Sequence, residues 1–277
     1  MSSTEHRTTH ARTTGTSPAD ATTRTRDART RTTLVVGVLV SLAAGAAVVA
    51  VGLPDDRTVF ATQLSTLTVA AGLLVATLGI SAVGAGTARA RWRVVDIVVA
   101  SVLGVAGGLM FALWNLGFYA WLSPVLAPPV SALVAGVWLL PGVLGGIVIR
   151  KPGAAVYTEL VAAALSALIG NQWGFSTVWY GLLEGLGAEV VLALLLYRRF
   201  GLPVALLSGA GAGLVVGLLD TTVYYPDLVP GVQVAYVGLA VLSGAVVAGL
   251  GAWALTRALA RTGVLSALAS GRDGRRV

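Results

Sequence analysis

Of 277 residues, 56% are hydrophobic and 11% charged, against about a quarter charged in a water-soluble domain; with a mean hydropathy of +0.84, this excludes an ordinary soluble enzyme. There is no cysteine, and the two histidines, His6 and His10, stand in a polar stretch, so disulfides, thiolate chemistry and an imidazole metal site or proton relay within the apolar blocks are excluded. The net charge of +7 is spread over short loops and chain ends and forms no basic face, which points to membrane orientation and away from nucleic acid.

Residues 1–32 are rich in Thr, Ser, Ala and Arg and almost free of large apolar side chains. Such a segment cannot offset the entropy of ordering, so a disordered cytoplasmic tail is expected, with Arg29 and Arg31 near lipid headgroups. Residues 33–90 hold two apolar blocks, near 33–53 and 62–86, each matching the roughly 20 residues that cross about 30 Å of hydrocarbon. The first exceeds a signal-peptide core of about 7–15 residues and the second follows at once, so the pair reads as a retained two-helix hairpin. It serves either to dock a partner or as an accessory anchor.

Six further spans are expected in residues 91–260, near 93–113, 127–149, 153–170, 175–197, 202–223 and 231–256, with a basic tail over 261–277. Arg89, Arg91 and Arg93, then Arg150 and Lys151, then Arg198 and Arg199, then Arg257 and Arg261 alternate with loops lacking positive charge. Apart from Arg57, every Lys and Arg falls on one side, which the positive-inside rule assigns to the cytoplasm. The expected fold is an all-α integral membrane protein of the cell membrane with about eight spans and both termini cytoplasmic. Thirty-five glycines suit helices that pack closely in lipid.

Polar residues inside spans are few and mark sites, cavities or helix contacts. Asp96 beside Arg93 reads as an interfacial pair. Ala100, Gly104 and Gly108 recur every four residues as a small-residue ridge, suited to an internal contact or to a partner. Trp114 and Asn115 open an aromatic run with Phe118, Tyr119 and Trp121; a membrane-interface belt explains the rings, whereas the amide can orient a heterocycle. Glu159 lies roughly 10 Å from the cytoplasmic end and either reaches a pocket floor or pairs within the bundle. Asn171, Gln172 and Trp173 form an outward turn, below which Tyr180 and Glu184 share one helix face. A carboxylate floor beneath aromatic walls suits a flat cationic or aminated heterocycle. The alternative is an aromatic belt with a protonated Glu184 bonded to a neighbouring helix. Glu189 projects about 140° from Glu184 and reads as structural, while Trp138, Tyr157, Asp220 and Tyr224 read as packing or interfacial.

No catalytic set can be assembled without an intramembrane histidine, and no enzyme activity, cofactor or metal is expected. The sole lysine, Lys151, lies between Arg150 and Pro152, whereas a Walker A lysine follows Gly and precedes Ser or Thr. ATP-driven work would therefore come from other subunits.

The segments WRVVDIVVASVLGVAGG from Trp92, KPGAAVYTEL from Lys151, NQWG from Asn171 and GLLEGLGAEVVLALLLYRRFG from Gly181 resemble the S components of energy-coupling-factor (ECF) vitamin transporters, of the YkoE type associated with thiamine or hydroxymethylpyrimidine. The resemblance spans about residues 91–260. It implies a six-helix unit, here preceded by the extra hairpin, that binds its vitamin from outside and delivers it on docking to a transmembrane T subunit driven by two cytoplasmic ATPases. Ala100, Gly104 and Gly108 match the stretch that meets the T subunit in that family, whose members often carry Gln where Glu184 stands. The expected ligand set is Glu184, Tyr180, Trp173, Gln172, Asn171, Asn115, Trp114 and Glu159. A self-contained proton-coupled carrier using Glu159 or Glu184, and a ligand-free membrane scaffold, are the alternatives; dependence on added ATPase subunits and copurified ligand separate them.

Overall fold

A computed structural model describes residues 92–273, so the expected tail over 1–32 and hairpin over 33–90 lie outside the described residues. The described part is all-helical. Its elements are α1 (Val94–Leu122), α2 (Val130–Ile149), α3 (Ala154–Ile169), α4 (Ser176–Leu194), α5 (Leu202–Val223), α6 (Pro230–Arg261) and the short α7 (Ala269–Asp273). Five of these, α1, α2, α4, α5 and α6, are long and apolar enough to cross a membrane, while α3 is shorter.

α2 explains the arrangement. It is apolar all round, and such a helix belongs inside a bundle; it touches each of α1, α3, α4, α5 and α6. Gly142 and Gly146 let α3 and α4 come close, since a Cβ on Gly142 would stand 3.1 Å from the Glu159 Cβ and one on Gly146 2.5 Å from Leu192 Cδ1. Dispersion at such short range, without side-chain entropy to lose, is what holds helices together where lipid removes the hydrophobic driving force. α5 meets α6 in the same way through Gly209, Gly213 and Gly217, which face Gly244, Ala240 and Val237.

α1 is preceded by its N-cap Arg93, whose backbone N–H donates to Asp96 Oδ2 at 2.8 Å in a capping box, an anionic first turn that suits the helix dipole. The helix runs past the expected end at 113 through a π-helical turn, Trp114–Tyr119, to Leu122. No Gly-Pro or Pro signal interrupts it until Pro124. Its outward face is Val94, Val98, Val102, Leu109 and Leu113, all exposed.

Packing bears on two expectations here. The ridge Ala100, Gly104 and Gly108 is buried against α3 and is no free partner surface: a Cβ on Gly104 would lie 2.7 Å from the Val161 Cβ, and one on Gly108 2.7 Å from the Leu165 Cβ. Small residues create close approach, and the nearest helix inside the fold has taken it. The segment expected as a tail over 261–277 packs back on the bundle over its described part. α6 continues to Arg261, the chain then turns, and Leu265 and Leu268 are each 1% exposed, while Arg93 Nη2 donates to the Ala267 carbonyl at 3.2 Å.

Arg93, Arg150, Lys151, Arg198, Arg199 and Arg261 gather at one end of the bundle with the loops after α2, α4 and α6. The opposite end carries the loops after α1, α3 and α5.

Candidate functional site

A cavity of about 340 Å³ enters the bundle at the end opposite the basic residues, within the range of about 300–1,000 Å³ typical of small-molecule sites. Its first wall depends on the turn between α3 and α4. Gly170 (φ 106°) and Gly174 (φ 55°) take left-handed conformations that residues with a Cβ disfavour. Between them Asn171 accepts hydrogen bonds on Oδ1 from the Trp173 N–H (2.9 Å) and the Thr177 hydroxyl (3.1 Å), the local side-chain bonding that favours Asn in turns. Trp173 is thereby laid against Tyr119 and Trp138, with ring centroids 5.4 and 5.7 Å away. Trp138 is itself held, its indole N–H donating to Asn115 Oδ1 at 2.9 Å. Asn171 also donates to the Ser166 hydroxyl (3.2 Å), and Asn115 reaches the same oxygen at 3.4 Å.

The second wall comes from α4, the end of α5 and α6. Tyr180 and Tyr224 pair at 5.8 Å and Tyr225 and Tyr236 at 5.3 Å, and Tyr236 donates its hydroxyl to Asp220 Oδ2 at 2.7 Å. Burial, with the Asp220 carboxylate adding to it, pushes the Tyr224 phenol above its ordinary pKa, so it remains a neutral hydroxyl. Glu184 forms the floor and is 6% exposed. Beneath it Glu159 is 1% exposed; its Oε2 accepts the Gly142 N–H at 2.5 Å while Oε1 has no partner. The two carboxyl groups interact electrostatically.

Carboxylates, aromatic faces and unpaired hydroxyls dominate the polar lining, and no Lys, Arg or His is among the lining residues. The Tyr180 hydroxyl and the Ser131 hydroxyl are buried without hydrogen-bond partners. Unpaired buried carboxylates and hydroxyls are costly, and a ligand that supplies positive charge and N–H donors offsets that cost while its faces meet the rings.

Of the residues singled out in the sequence, Trp173, Tyr180 and Glu184 line the cavity together. Asn115 and Asn171 lie behind the wall and hold Trp138 and Trp173 in place. Trp114 stacks on Phe118 and meets Trp138 edge-on, both at 6.0 Å, Gln172 is exposed, and Glu159 sits below the floor; none of these five is among the lining residues. Trp138, Asp220 and Tyr224, which read from sequence as packing or interfacial, line the cavity with Tyr119, Tyr225 and Tyr236. Asp220 and Tyr224 are one helical turn apart near the end of a span, the same carboxylate-and-ring spacing as Tyr180 and Glu184, and that signal was present in the sequence. Nothing in the spacing links Tyr236 to them, because it arrives on another helix.

The remaining polar groups serve the basic end. Glu189 accepts the Gly153 N–H (2.8 Å), the Ala155 N–H (2.9 Å) and the Tyr197 hydroxyl (2.5 Å). It thus caps α3 from a different helix. Asp96 pairs with Arg93 at 2.8 Å and with Lys151 at 2.6 Å. Tyr157 bonds the Ser101 hydroxyl at 2.7 Å, outside the cavity wall.

Comparison with known proteins adds three similarities. A family model for the permease component of an ABC-type cobalt transport system matches residues 95–215. A protein of Bacillus subtilis (strain 168) that bears the name HMP/thiamine permease protein YkoE is 33% identical over 183 residues, which cover 66% of this chain and 92% of that protein. A crystal structure of an S-component of an ECF transporter superposes with a TM-score of 0.64 at 32% identity, covering 67% of this chain and 94% of that one.

Proposed function

The chain belongs to the YkoE-type family of ECF S components, and from that premise we propose that it captures thiamine or its hydroxymethylpyrimidine precursor in the aromatic cavity. One observation carries the reading: the cavity combines a carboxylate floor at Glu184 with aromatic walls and holds no cationic side chain of its own among the described residues. A ligand with neither positive charge nor N–H donors would leave the carboxylates uncompensated. A flat, aminated or cationic heterocycle offers charge and N–H donors to the floor and π faces to Trp138, Trp173 and Tyr180.

Membership of that family implies delivery across the membrane with a transmembrane T subunit and two cytoplasmic ATPases, and the absence of a Walker A sequence from the chain is consistent with ATP acting through another polypeptide. The buried position of the small-residue ridge directs the search for the T-subunit contact to the outward Val and Leu face of α1. With the basic end in the cytoplasm, as the positive-inside rule requires, the cavity faces outward and both termini lie inside. Cysteines placed at Gln172 and Asp227 should then react with an impermeant reagent from outside, and a cysteine at Arg198 should not; the reverse pattern would invert the orientation.

The ligand is identified by mass spectrometry of what the purified protein releases on denaturation, followed by equilibrium titration with thiamine and hydroxymethylpyrimidine. Saturable binding of either supports the reading. A folded protein that binds neither would remove it.

A further inference from the structure

The carboxylates of the cavity stand at two levels. Glu184 is the ninth residue of α4, counted from Ser176 at the mouth, which puts it roughly 12 Å down the helix at 1.5 Å per residue. Asp220 is three residues from the end of α5 at Val223, hence about 4.5 Å from its end. Tyr180, one turn above Glu184 on α4, pairs its ring with that of Tyr224, 5.8 Å away and one turn beyond Asp220. Along the backbone Asp220 therefore lies about a turn and a half of helix, ~7–8 Å, nearer the mouth than Glu184.

Their surroundings differ as well. Glu184 is 6% exposed and lines the cavity, where its lone pairs are open to a ligand that donates N–H bonds. Asp220 has one oxygen already occupied by the Tyr236 hydroxyl at 2.7 Å, and the rings of Tyr180, Tyr224, Tyr225 and Tyr236 crowd this level of the cavity. A carboxylate with a partly used acceptor set among aromatic faces is matched to a cation that has charge but no N–H, held by Coulomb attraction and π faces. Ser131, 8% exposed with an unpartnered hydroxyl, also lines the cavity.

We propose that Asp220 is a second anchor, specific for a quaternary cation, and that it makes the cavity a two-level site able to distinguish a two-ring cationic ligand from a one-ring neutral one. The proposal rests on the reading of the cavity as a thiamine-type site. Thiamine has both poles, an aminopyrimidine with N–H donors and, one methylene away, a thiazolium whose quaternary nitrogen carries no hydrogen. Hydroxymethylpyrimidine has only the first. The aminopyrimidine meets Glu184 at the floor in both ligands, and the thiazolium meets Asp220 at the upper level in thiamine alone.

Titration of the full chain with the two ligands separates these roles. Glu184→Gln is expected to weaken both by a similar factor. Asp220→Asn, which retains the side-chain size, is expected to shift the ratio of affinities at least tenfold against thiamine, and Tyr236→Phe to shift it in the same direction by less, through loss of the hydroxyl that positions Asp220. The Tyr236→Phe variant keeps the test open if Asp220→Asn does not fold. Equal losses for both ligands, or an unchanged ratio in both variants, would overturn the second anchor while leaving the thiamine-type reading intact. Wild-type protein that binds neither ligand would instead remove the reading on which this one stands.

Discussion

Glu184 and Glu189 lie five residues apart on one helix, both nearly or fully buried, and they have opposite surroundings. Glu189 faces the basic end, where Gly153, Ala155 and Tyr197 supply three donors to its carboxylate. Glu184 faces the cavity, where its neighbours are two further carboxyl groups, Glu159 and Asp220, and tyrosine rings. A buried carboxylate with its donors built in joins helices together. The same group without them is a cost to the empty protein that a cationic ligand removes. At the basic end the buried carboxylates, Asp96 and Glu189, thus close on partners within the protein, and at the cavity end the Glu184 carboxylate waits for something else.

The comparison breaks first at Glu189. Its replacement by Ala strands two backbone N–H groups and a phenol, each costing about 1–3 kcal/mol when left unpaired, so a loss on the order of 3 kcal/mol or more of stability is expected. Thermal unfolding in detergent measures it. Ligand affinity of the protein that remains folded should be unaltered, and weakened binding at unchanged stability would show that the two ends are not separate. Gly104→Leu should follow at roughly 1–3 kcal/mol, the usual range for overpacking, because its Cβ alone would already press on Val161 at 2.7 Å. A stable Gly104→Leu protein that binds ligand yet fails in ATP-dependent uptake would return the ridge to the role of a partner surface.

Glu184→Gln sharpens the contrast from the other side. Removing a charge that no described residue compensates should leave stability unchanged or raise it, the reverse of Glu189→Ala. Binding should weaken by about 1.5–3 kcal/mol, the range for hydrogen bonds to charged groups, or roughly tenfold to more than a hundredfold. Unfolding temperature and titration on the same preparation give both values. A variant that binds normally would indicate a protonated Glu184 that serves the bundle, and would move the ligand contact to the aromatic rings.

Periodicity and charge made much of this architecture readable. The blocks that became α2 to α6 were bounded within a few residues, since length and apolarity are what lipid selects, and the alternating Arg loops placed the basic groups at one end. Glu184 and Tyr180 were legible as a pair because one helix carries both at a spacing of four. Asp220 with Tyr236, and Trp138 with Asn115, were not, because each pair joins different helices and depends on which helices become neighbours. Ala100, Gly104 and Gly108 show the same limit: a smooth ridge is visible in sequence, but the identity of what fills it is set by packing. Leu265 and Leu268 were hidden by the charges around them, which made a docked segment read as a tail.

The smallest effect tests whether residues behind the wall act through the wall. Asn115 is 1% exposed and is not among the cavity-lining residues, yet its Oδ1 accepts the Trp138 indole N–H at 2.9 Å. Asn115→Leu keeps the branched shape of the side chain and deletes that acceptor, so the indole N–H loses a bond worth about 1 kcal/mol net. Because Trp138 in turn braces Tyr119 and Trp173 at 4.9 and 5.7 Å, the loss should spread to the wall and weaken ligand binding by roughly threefold to tenfold, at the level of ~1 kcal/mol. Trp138→Phe, which removes the donor along with part of the ring, should weaken binding on its own. If Asn115 acts only by holding Trp138, adding Asn115→Leu to Trp138→Phe should cost little more, since residues in one network are not additive. Titration of the two single variants and the double variant decides it. Fully additive losses would place Asn115 in direct contact with the ligand, as its amide first suggested.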